Sequence, residues 1–501
     1  MEDATADLIS MADIARLAGQ SRATVGNWKR REVDFPVEYS YGPRGPLYDR
    51  SVIEAWLTEK GRLSSALQGE FEVFQVMDRL RGDAAVEDIA LTVFVLLALR
   101  TAVSDSGWAD LAAQSGENQF EALKRAVHDN VPVASDLISS SRINPQVIAG
   151  CIDAVTQIGT GNLAATADSV LDTLFDRSGR KWGEWSTSSS LRSLMVAVAG
   201  WGKTVYDPAA GAGRLLVDMA YPETLNPQRL FGQELAADAN AIAQLNLMVH
   251  GLEGRIETGD VLADDKLADL RFDRVVADPP WNTRVLADTV RSDDLRWIWG
   301  DPSSSDATMA WIQHCLFHLN DGGRAVVVVP PRVLFATGRP ALPMQAIIKS
   351  GLLDAVIGLP AGLLAASSAS AALLVFVKGR PMESGRPAPT LMINIEDDRA
   401  QGTGRVKSLP PELVSEVREI YGHWQEGLET VSPMVGVAEY EDLAKYDFDL
   451  TPRRYIDTPS ATHDPVQLAK AHLVLSAKVA TALAACGRAD AELLALLKGE
   501  R

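Results

Sequence analysis

The sequence contains little cysteine. Its 501 residues include three cysteines, Cys151, Cys315 and Cys486, which lie far apart and show no CxxC or Cys/His spacing. This spacing argues against a disulfide framework and against a zinc site, so we expect no structural metal. We interpret the three thiols as small buried side chains.

The sequence also lacks long apolar runs. No segment approaches the roughly 18 consecutive apolar residues of a membrane span, and the first 20 residues carry acids and no apolar stretch typical of a secretory signal. We therefore expect a cytoplasmic protein without a membrane partner.

Positive charge is scarce as well. The chain has 48 Lys and Arg against 66 Asp and Glu, a net charge of −18. This charge repels a polyanion, so any contact with DNA must come from a local patch or from a partner protein.

The length exceeds what one core usually supports and predicts roughly two to four domains. Changes in the residue pattern along the sequence suggest four regions. They are a helix-turn-helix unit at 1–62, a helical region at 63–180, an α/β domain at 181–400 and a mixed or helical C-terminal region at 401–501. Within the last region, 466–499 predicts one or two Ala/Leu-rich helices.

The stretch LISMADIARLAGQSRATVGNWKRR predicts two short helices, with Gly19 ending the first and Ser21 capping the second. LYDRSVIEAWLTEKG adds a short strand and a third helix, as in winged or excisionase-like helix-turn-helix domains. Seven Lys or Arg stand against five Asp or Glu between Met11 and Arg50. A small helical bundle for protein contact is the alternative. The residues predicted to face DNA are Arg22, Thr24, Asn27, Lys29 and Arg30.

From about residue 68 to 178 the pattern is helical, interrupted by the segments SGENQ and SSSRINP, which we expect to be loops. From Gly202 onward, short β-branched runs alternate with helical segments, which predicts a doubly wound, Rossmann-like α/β fold. The runs are KTVYD, RLFGQEL, GRIETGD, FDRVVAD, GRAVVVVP, LDAVIGLP and AALLVFVK. Several of these runs end on an acid, where an open parallel sheet binds its ligand.

Three of these strand ends are candidate ligand contacts. In TVYDPAAGAGRLLVDMA a strand ends at Asp207, and Gly211 and Gly213 allow backbone to approach a ligand before the next helix. The turn lacks both the P-loop Lys-Ser/Thr and the GxGxxG pattern, so it suits a nucleoside ligand without a polyphosphate. Glu234 is placed to meet ribose hydroxyls, and Asp260 to accept from an exocyclic amine while Val261 lies against a ring.

The run VVADPPWN at 275–282 combines a carboxylate, a rigid backbone and a flat aromatic ring. Together with DPAAGAG, this run resembles the S-adenosylmethionine-dependent amino-methyltransferases of DNA, most closely the methylase subunits of type I restriction-modification systems. The segments ATMAWIQHCLFHLNDGGRAVVVVPPRVLF, LLDAVIGLPAGLL and AALLVFVKG follow in that family's order, and YDFDLTPRRYI is similar to its C-terminal signature.

The resemblance implies methylation of the exocyclic N6 of adenine in DNA, without a metal and with a specificity or restriction subunit as a candidate partner. In DPPW, Asp278 and the carbonyl of Pro279 would each accept one amine hydrogen, the tandem Pro279 and Pro280 would fix the backbone, and Trp281 would stack on a flipped base. The residues implied to contact S-adenosylmethionine are Thr187, Asp207, Ala209, Gly211, Gly213, Glu234, Asp260 and Val261.

The sequence departs from the family at two places. GEWSTSSSLRSLM keeps Gly183, Trp185 and Thr187 of an upstream motif but has Ser186 and Ser188 where an aromatic residue and Pro are usual. We expect Thr187 to bind the methionine carboxylate at a helix N-terminus. Asp278 stands where the relatives more often have Asn. Methylation of RNA or of a protein amide, and a non-catalytic DNA-binding regulator, remain alternatives.

Overall fold

The structure is a computed structural model that describes residues 8–18, 20, 22–42, 45–62, 84–139, 144–177, 187–220, 228–281, 283–284, 294–364, 369–383, 385–401, 407–428 and 430–456. The helices predicted within 466–499 lie outside the described residues. Of the three thiols expected to be buried, Cys151 and Cys315 are buried, and Cys486 also lies outside this part of the chain.

The N-terminal unit packs three helices around a small antiparallel sheet. Its elements are β1 (Leu8–Ser10), α1 (Met11–Leu17), α2 (Arg22–Arg31), β2 (Ser40–Gly42), β3 (Gly45–Asp49) and α3 (Arg50–Glu59). Its core contains the fully buried Ile14, Val25, Tyr48, Ile53 and Leu57. The two helices, the strand and the third helix expected here are present, whereas Gly19 and Ser21 lie outside the described residues. The use of this unit in DNA binding stays a prediction.

The second region is helical throughout its described length. Its helices are α4 (Val86–Ala102), α5 (Asp105–Ala112), α6 (Gly116–Asn130), α7 (Ser135–Ser139), α8 (Pro145–Gln157) and α9 (Leu163–Arg177). The prediction that SGENQ forms a loop is wrong. The helix α6 begins at Gly116 and buries Gln119, Leu123 and Val127 on one face. Burial of this face outweighs the turn-like local sequence. None of the helices in the described parts of the chain is long and apolar enough to cross a membrane.

A nine-stranded sheet forms the third region. Its strands are β4 (Thr204–Asp207), β5 (Arg229–Glu234), β6 (Gly254–Thr258), β7 (Phe272–Ala277), β8 (Leu319–Val329), β9 (Leu353–Leu359), β10 (Ala371–Val377), β13 (Thr390–Asn394) and β14 (Val435–Ala438). A separate hairpin joins β11 (Met382–Glu383) and β12 (Arg386–Pro387). The associated helices are α10 (Ser189–Ala199), α11 (Arg214–Met219), α12 (Ala237–Val249), α13 (Thr308–Phe317), α14 (Leu342–Lys349), α15 (Pro411–Gln425) and α16 (Tyr440–Lys445).

The strand order is β14-β13-β9-β10-β8-β7-β4-β5-β6, so the chain moves outward from β4 to β6 and then returns to β7 on the other side. The carboxyl ends of β4 and β7 therefore flank the switch point of the sheet, which is where open α/β sheets bind ligands. The expected doubly wound α/β fold is confirmed, although β10 runs antiparallel to both of its neighbours.

Both faces of the sheet are covered. Along β8, Val326 and Val328 join one apolar cluster, while Ala325, Val327 and Val329 join the other. This alternation follows from the two-residue period of a strand and explains why the run AVVVV is apolar at every position.

Packing and strand pairing connect the sheet domain to residues on both sides of its predicted bounds. The core of the helical region also contains Ala241, Ile242 and Leu245 of α12, so α12 packs against both regions. Beyond residue 400, where the sequence predicted the end of the domain, β14 pairs with β13 and α15 packs against α10. The predicted boundary at 400 is therefore wrong, because strand pairing continues across it.

Candidate active site at the switch point of the sheet

The turn after β4 is shaped by a buried carboxylate and a tightly packed glycine. Asp207 is 2% exposed, and its Oδ1 accepts a hydrogen bond of 3.0 Å from the N–H of Ala209. Gly213 has a φ of +73°, and a Cβ there would lie 3.1 Å from the Cα of Ala243 in α12. Gly213 is thus required for conformation and for helix packing, and Gly211, with a φ of +52°, shares the conformational requirement.

The carboxylate at the end of β5 ties two turns together. Glu234 Oε2 accepts from the N–H of Gly211 at 2.9 Å, and Oε1 accepts from the N–H of Ala236 at 2.9 Å. The neighbouring Leu235 is 69% exposed at the same edge of the sheet. Leu235 was not among the predicted site residues, and the signal that could have identified it is an apolar residue directly after a site acid.

The segment after β6 is supported by a buried arginine. Asp260 Oδ1 caps the turn by accepting from the N–H of Leu262 at 3.0 Å. Val261 is buried, and Ala209 packs against the same small apolar cluster. Arg296 donates to the carbonyls of Val261 (2.9 Å) and Leu262 (2.8 Å). Arg296 was not among the predicted site residues either, because its role depends on a contact across 35 positions.

The catalytic motif predicted after β7 extends from the sheet edge. Asp278 is partly exposed, Pro279 is buried, Pro280 is exposed and Trp281 is partly buried. Trp281 packs against the apolar cluster on one face of the sheet. Thr283 Oγ1 donates to the carbonyl of Pro280 at 3.3 Å. The carbonyl of Pro279 has no hydrogen-bond partner among the described residues, so it is available to an incoming donor.

Thr187 lies against the Asp278 carboxylate. Its Oγ1 donates to Asp278 Oδ2 at 2.8 Å, and Asp278 Oδ1 has no partner in the described part of the chain. The hydroxyl oxygens of Ser188 and Ser190, at the N-terminus of α10, are buried and have no partner among the described residues. Gly183, Trp185 and Ser186 lie outside the described residues.

Burial sets the charge of both acids at the switch point. Asp278 keeps some solvent exposure, but the protein around its carboxylate removes enough water to raise its pKa to about 6, although the Thr187 hydrogen bond opposes the shift. Burial also raises the pKa of Asp207 to about 8; the N–H of Ala209 opposes this shift, and repulsion by Asp278 and Glu234 adds to it. A cation placed near these acids would favour their ionised forms.

Asp265, His314 and His318 form a cluster of potential metal ligands beneath the site. His318 Nε2 lies 2.9 Å from Asp265 Oδ2, and the Arg296 guanidinium lies 3.3 Å from His314 Nδ1. Burial lowers the pKa of His314 well below its ordinary value. Because the guanidinium occupies that nitrogen, we interpret the cluster as hydrogen-bonded support for Arg296, which in turn holds the turn at Val261.

The residues predicted to face DNA lie far from this site in sequence, on α2. Asn27, Lys29 and Arg30 are exposed and Thr24 is partly exposed, whereas the side chain of Arg22 is outside the described part. Arg30 donates to Asn27 Oδ1 at 2.6 Å, and Lys29 pairs with Glu38. Their role in binding DNA stays a prediction.

The chain is similar to known DNA methylases over most of the sheet domain. A sequence profile of the family described as N-6 DNA Methylase matches residues 166–464. The methylase subunit of the type I restriction enzyme HindI from Haemophilus influenzae is 25% identical over 333 residues, which cover 64% of this chain and 74% of that protein. The methylase subunit of the type I restriction enzyme MjaIX from Methanocaldococcus jannaschii is 28% identical over 294 residues, and the match spans 56% of this chain and about half of that relative, 52%.

A solved structure shares the fold. The type I restriction-modification system methyltransferase subunit from Streptococcus thermophilus matches with a TM-score of 0.59 and 19% identity, covering 89% of this chain and 91% of that one. The resemblance carried by DPAAGAG and ADPPW is thus confirmed, and the chain belongs to the N-6 DNA methylase family.

Proposed function

We propose that this chain transfers a methyl group from S-adenosylmethionine to the exocyclic N6 of adenine in DNA, as the methylase subunit of a type I restriction-modification system. The main support for this proposal is a pair of hydrogen-bond acceptors at the end of β7. Asp278 Oδ1 and the Pro279 carbonyl both lack a partner among the described residues, at the switch point between β4 and β7.

The residues around this point fit the cofactor. Asp207 is a buried carboxylate with two acidic neighbours, and a methionine ammonium group would offset that charge. The unpartnered hydroxyls of Ser188 and Ser190 at a helix N-terminus suit a carboxylate. Glu234 would bind a ribose and the exposed Leu235 would lie against the face of a ring, while Asp260 and Val261 would contact the ring edge. When bound, the cofactor supplies a sulfonium-activated methyl group.

The acceptors then act on the adenine amine. The amine is a weak nucleophile because its lone pair is delocalised into the ring. When Asp278 Oδ1 and the Pro279 carbonyl each accept one N–H, the nitrogen would become pyramidal and its lone pair could attack the methyl carbon while the methyl–sulfur bond breaks. The methylated nitrogen would then lose its surplus proton to water. The two prolines hold these acceptors rigidly, so positioning supplies much of the rate. Trp281 offers a stacking face, which is worth about 1 to 3 kcal/mol per base.

We expect contacts outside this site to select the DNA sequence that is methylated. The matched relatives are methylase subunits of type I restriction enzymes, so we expect a specificity subunit and a restriction subunit as partners. The N-terminal unit would add contacts through α2.

The test is labelled methyl transfer to unmethylated duplex DNA, followed by nucleoside analysis. The purified chain is assayed alone and with extract of a host that lacks the gene, which supplies any partner subunits. We expect N6-methyldeoxyadenosine. Label in RNA or in protein would favour the other substrates, and cofactor binding without transfer to any of them would favour a non-catalytic regulator.

A further inference from the structure

Thr187 reaches the catalytic carboxylate from a distant part of the chain. It precedes α10, 91 positions before Asp278, yet its Oγ1 lies 2.8 Å from Asp278 Oδ2. The contact joins the altered segment GEWSTS to the motif DPPW. It is a hydrogen bond in which the hydroxyl donates, because an ionised carboxylate can only accept.

The hydroxyl has a single hydrogen, which limits what Thr187 can do. With that hydrogen on Asp278, the side chain has no donor left for the methionine carboxylate, which is also an acceptor. The neighbouring Ser188 and Ser190 hydroxyls have no partner in the described part of the chain, so each keeps a hydrogen that it can donate. The predicted role of Thr187 as a cofactor contact therefore competes with the contact seen in the structure.

Thr187 is itself held firmly. Its carbonyl accepts from Arg192 Nη1 at 2.7 Å, and Arg192 Nε donates to Asp218 Oδ2 at 2.6 Å. The Arg192 side chain is only 7% exposed. Since Asp218 belongs to α11, the helix that follows the cofactor turn, Thr187 is anchored to the same framework that shapes the cofactor site.

We propose that Thr187 is a positioning residue for Asp278: its hydroxyl fixes Oδ2 of the carboxylate and so orients Oδ1 toward the adenine amine. This proposal rests on the proposed function. The hydrogen bond also stabilises the ionised carboxylate against burial, and the acid that faces it from the β4 turn is Asp207. Loss of the hydroxyl therefore disturbs both the orientation and the ionisation of Asp278.

The test compares Thr187→Val, which keeps the branched shape, with Thr187→Ser, which keeps the hydroxyl. Single-turnover methyl transfer is measured from pH 5 to 9 at saturating cofactor, and cofactor affinity is measured separately. We expect Thr187→Val to be about tenfold slower at pH 7, with its acidic limb moved upward by about one pH unit. Cofactor affinity should stay within about twofold, and Thr187→Ser should restore the rate within about threefold.

Two results would overturn this role. If Thr187→Val weakens cofactor binding in proportion to the loss of rate, the hydroxyl binds the cofactor instead. If Thr187→Val keeps the wild-type rate and pH profile, Thr187 does not position the carboxylate.

A second measurement does not depend on activity. Thermal unfolding of the cofactor-free wild type, Thr187→Val, Asp278→Ala and the double variant gives the coupling between the two side chains. We expect coupling at pH 8 and less at pH 5, because a hydrogen bond to a charged acceptor is stronger. Absence of coupling at pH 8 overturns the positioning proposal whatever the wild type does. Coupling without any methyl transfer by the wild type overturns the proposed function instead and upholds the contact.

Discussion

At the scale of single residues, Asp207 combines deep burial with a predicted cationic ligand. Burial raises its pKa to about 8, so at pH 7 the carboxyl is mostly protonated in the cofactor-free protein. A bound ammonium group favours the ionised form, and binding must then release a proton. As the pH falls below about 8, an increasing share of Asp207 is protonated and must lose its proton before the cofactor binds. The affinity for the cofactor should therefore decrease as the pH falls.

We expect calorimetry at pH 7, in two buffers with different ionisation enthalpies, to show release of close to one proton when S-adenosylmethionine binds. Above about pH 9 the release should give way to proton uptake, because Asp207 is then already ionised and the free amine must gain a proton to bind as an ammonium group. Proton uptake at pH 7, or an exchange of protons that does not change with pH, would contradict the placement of the cofactor amine at Asp207.

The raised pKa of Asp278 predicts a second pH dependence, that of methyl transfer itself. Because its pKa is about 6, methyl transfer at saturating cofactor should fall as the pH drops through 6 and the carboxylate gains a proton. Asp278→Asn keeps one carbonyl acceptor and does not titrate, so we expect it to retain measurable transfer and to lose this acidic limb. Rates from pH 5 to 9 for both proteins provide the check, and an unchanged limb in the variant would assign it to another group.

At the scale of elements, the approach of α11 to α12 depends on Gly213. A side chain there would adopt a strained positive φ, and the Cα of Ala243, 3.1 Å from an added Cβ, would have to move by a few tenths of an ångström. Gly251 has a φ of +66° and nothing within 4 Å of an added Cβ, so it provides a matched control for backbone strain alone.

We expect Gly251→Ala to cost about 1 to 2 kcal/mol of unfolding free energy, the strain of a left-handed non-glycine residue. Gly213→Ala should cost clearly more and should also weaken cofactor binding, because α12 must shift away from the turn. Denaturant unfolding and cofactor titration measure both effects. Equal costs for the two variants would show that packing at Gly213 is unimportant.

The sequence predicted each strand that ends at the site, since β-branched runs ending on an acid are a local pattern. It could not predict that β10 runs antiparallel, because burial on both faces gives the same apolar run in either direction. Thr187 and Asp278 were both named as site residues, but their contact and the support from Arg296 depend on long-range packing that the residue types alone do not specify.

At the scale of the whole molecule, charge is divided unevenly. The chain carries −18 overall, whereas α2 ends in three consecutive basic residues, Lys29, Arg30 and Arg31. Local attraction to phosphate must therefore overcome repulsion by the rest of the surface.

If α2 contacts DNA, Arg30→Ala should weaken DNA binding and reduce the slope of log K against log salt by about one. Lys124→Ala on α6 removes the same charge from a partly exposed, likewise paired position of the helical region and should leave that slope unchanged. Salt titrations of the full chain with duplex DNA provide the measurement. Equal effects of the two variants would favour the alternative in which the N-terminal unit contacts protein.

In the proposed function, Asp278 and the Pro279 carbonyl activate an adenine amine of DNA. The most direct test is to sequence the methylated positions of the host chromosome with the wild-type gene, with the gene deleted and with the Asp278→Ala allele, because the host supplies any partner subunits. We expect N6-methyladenine at a defined sequence with the wild type and its loss in both other strains. Retention of the same methylated sites in the Asp278→Ala strain, at the wild-type level and with the deletion strain unmethylated, would contradict the proposed function.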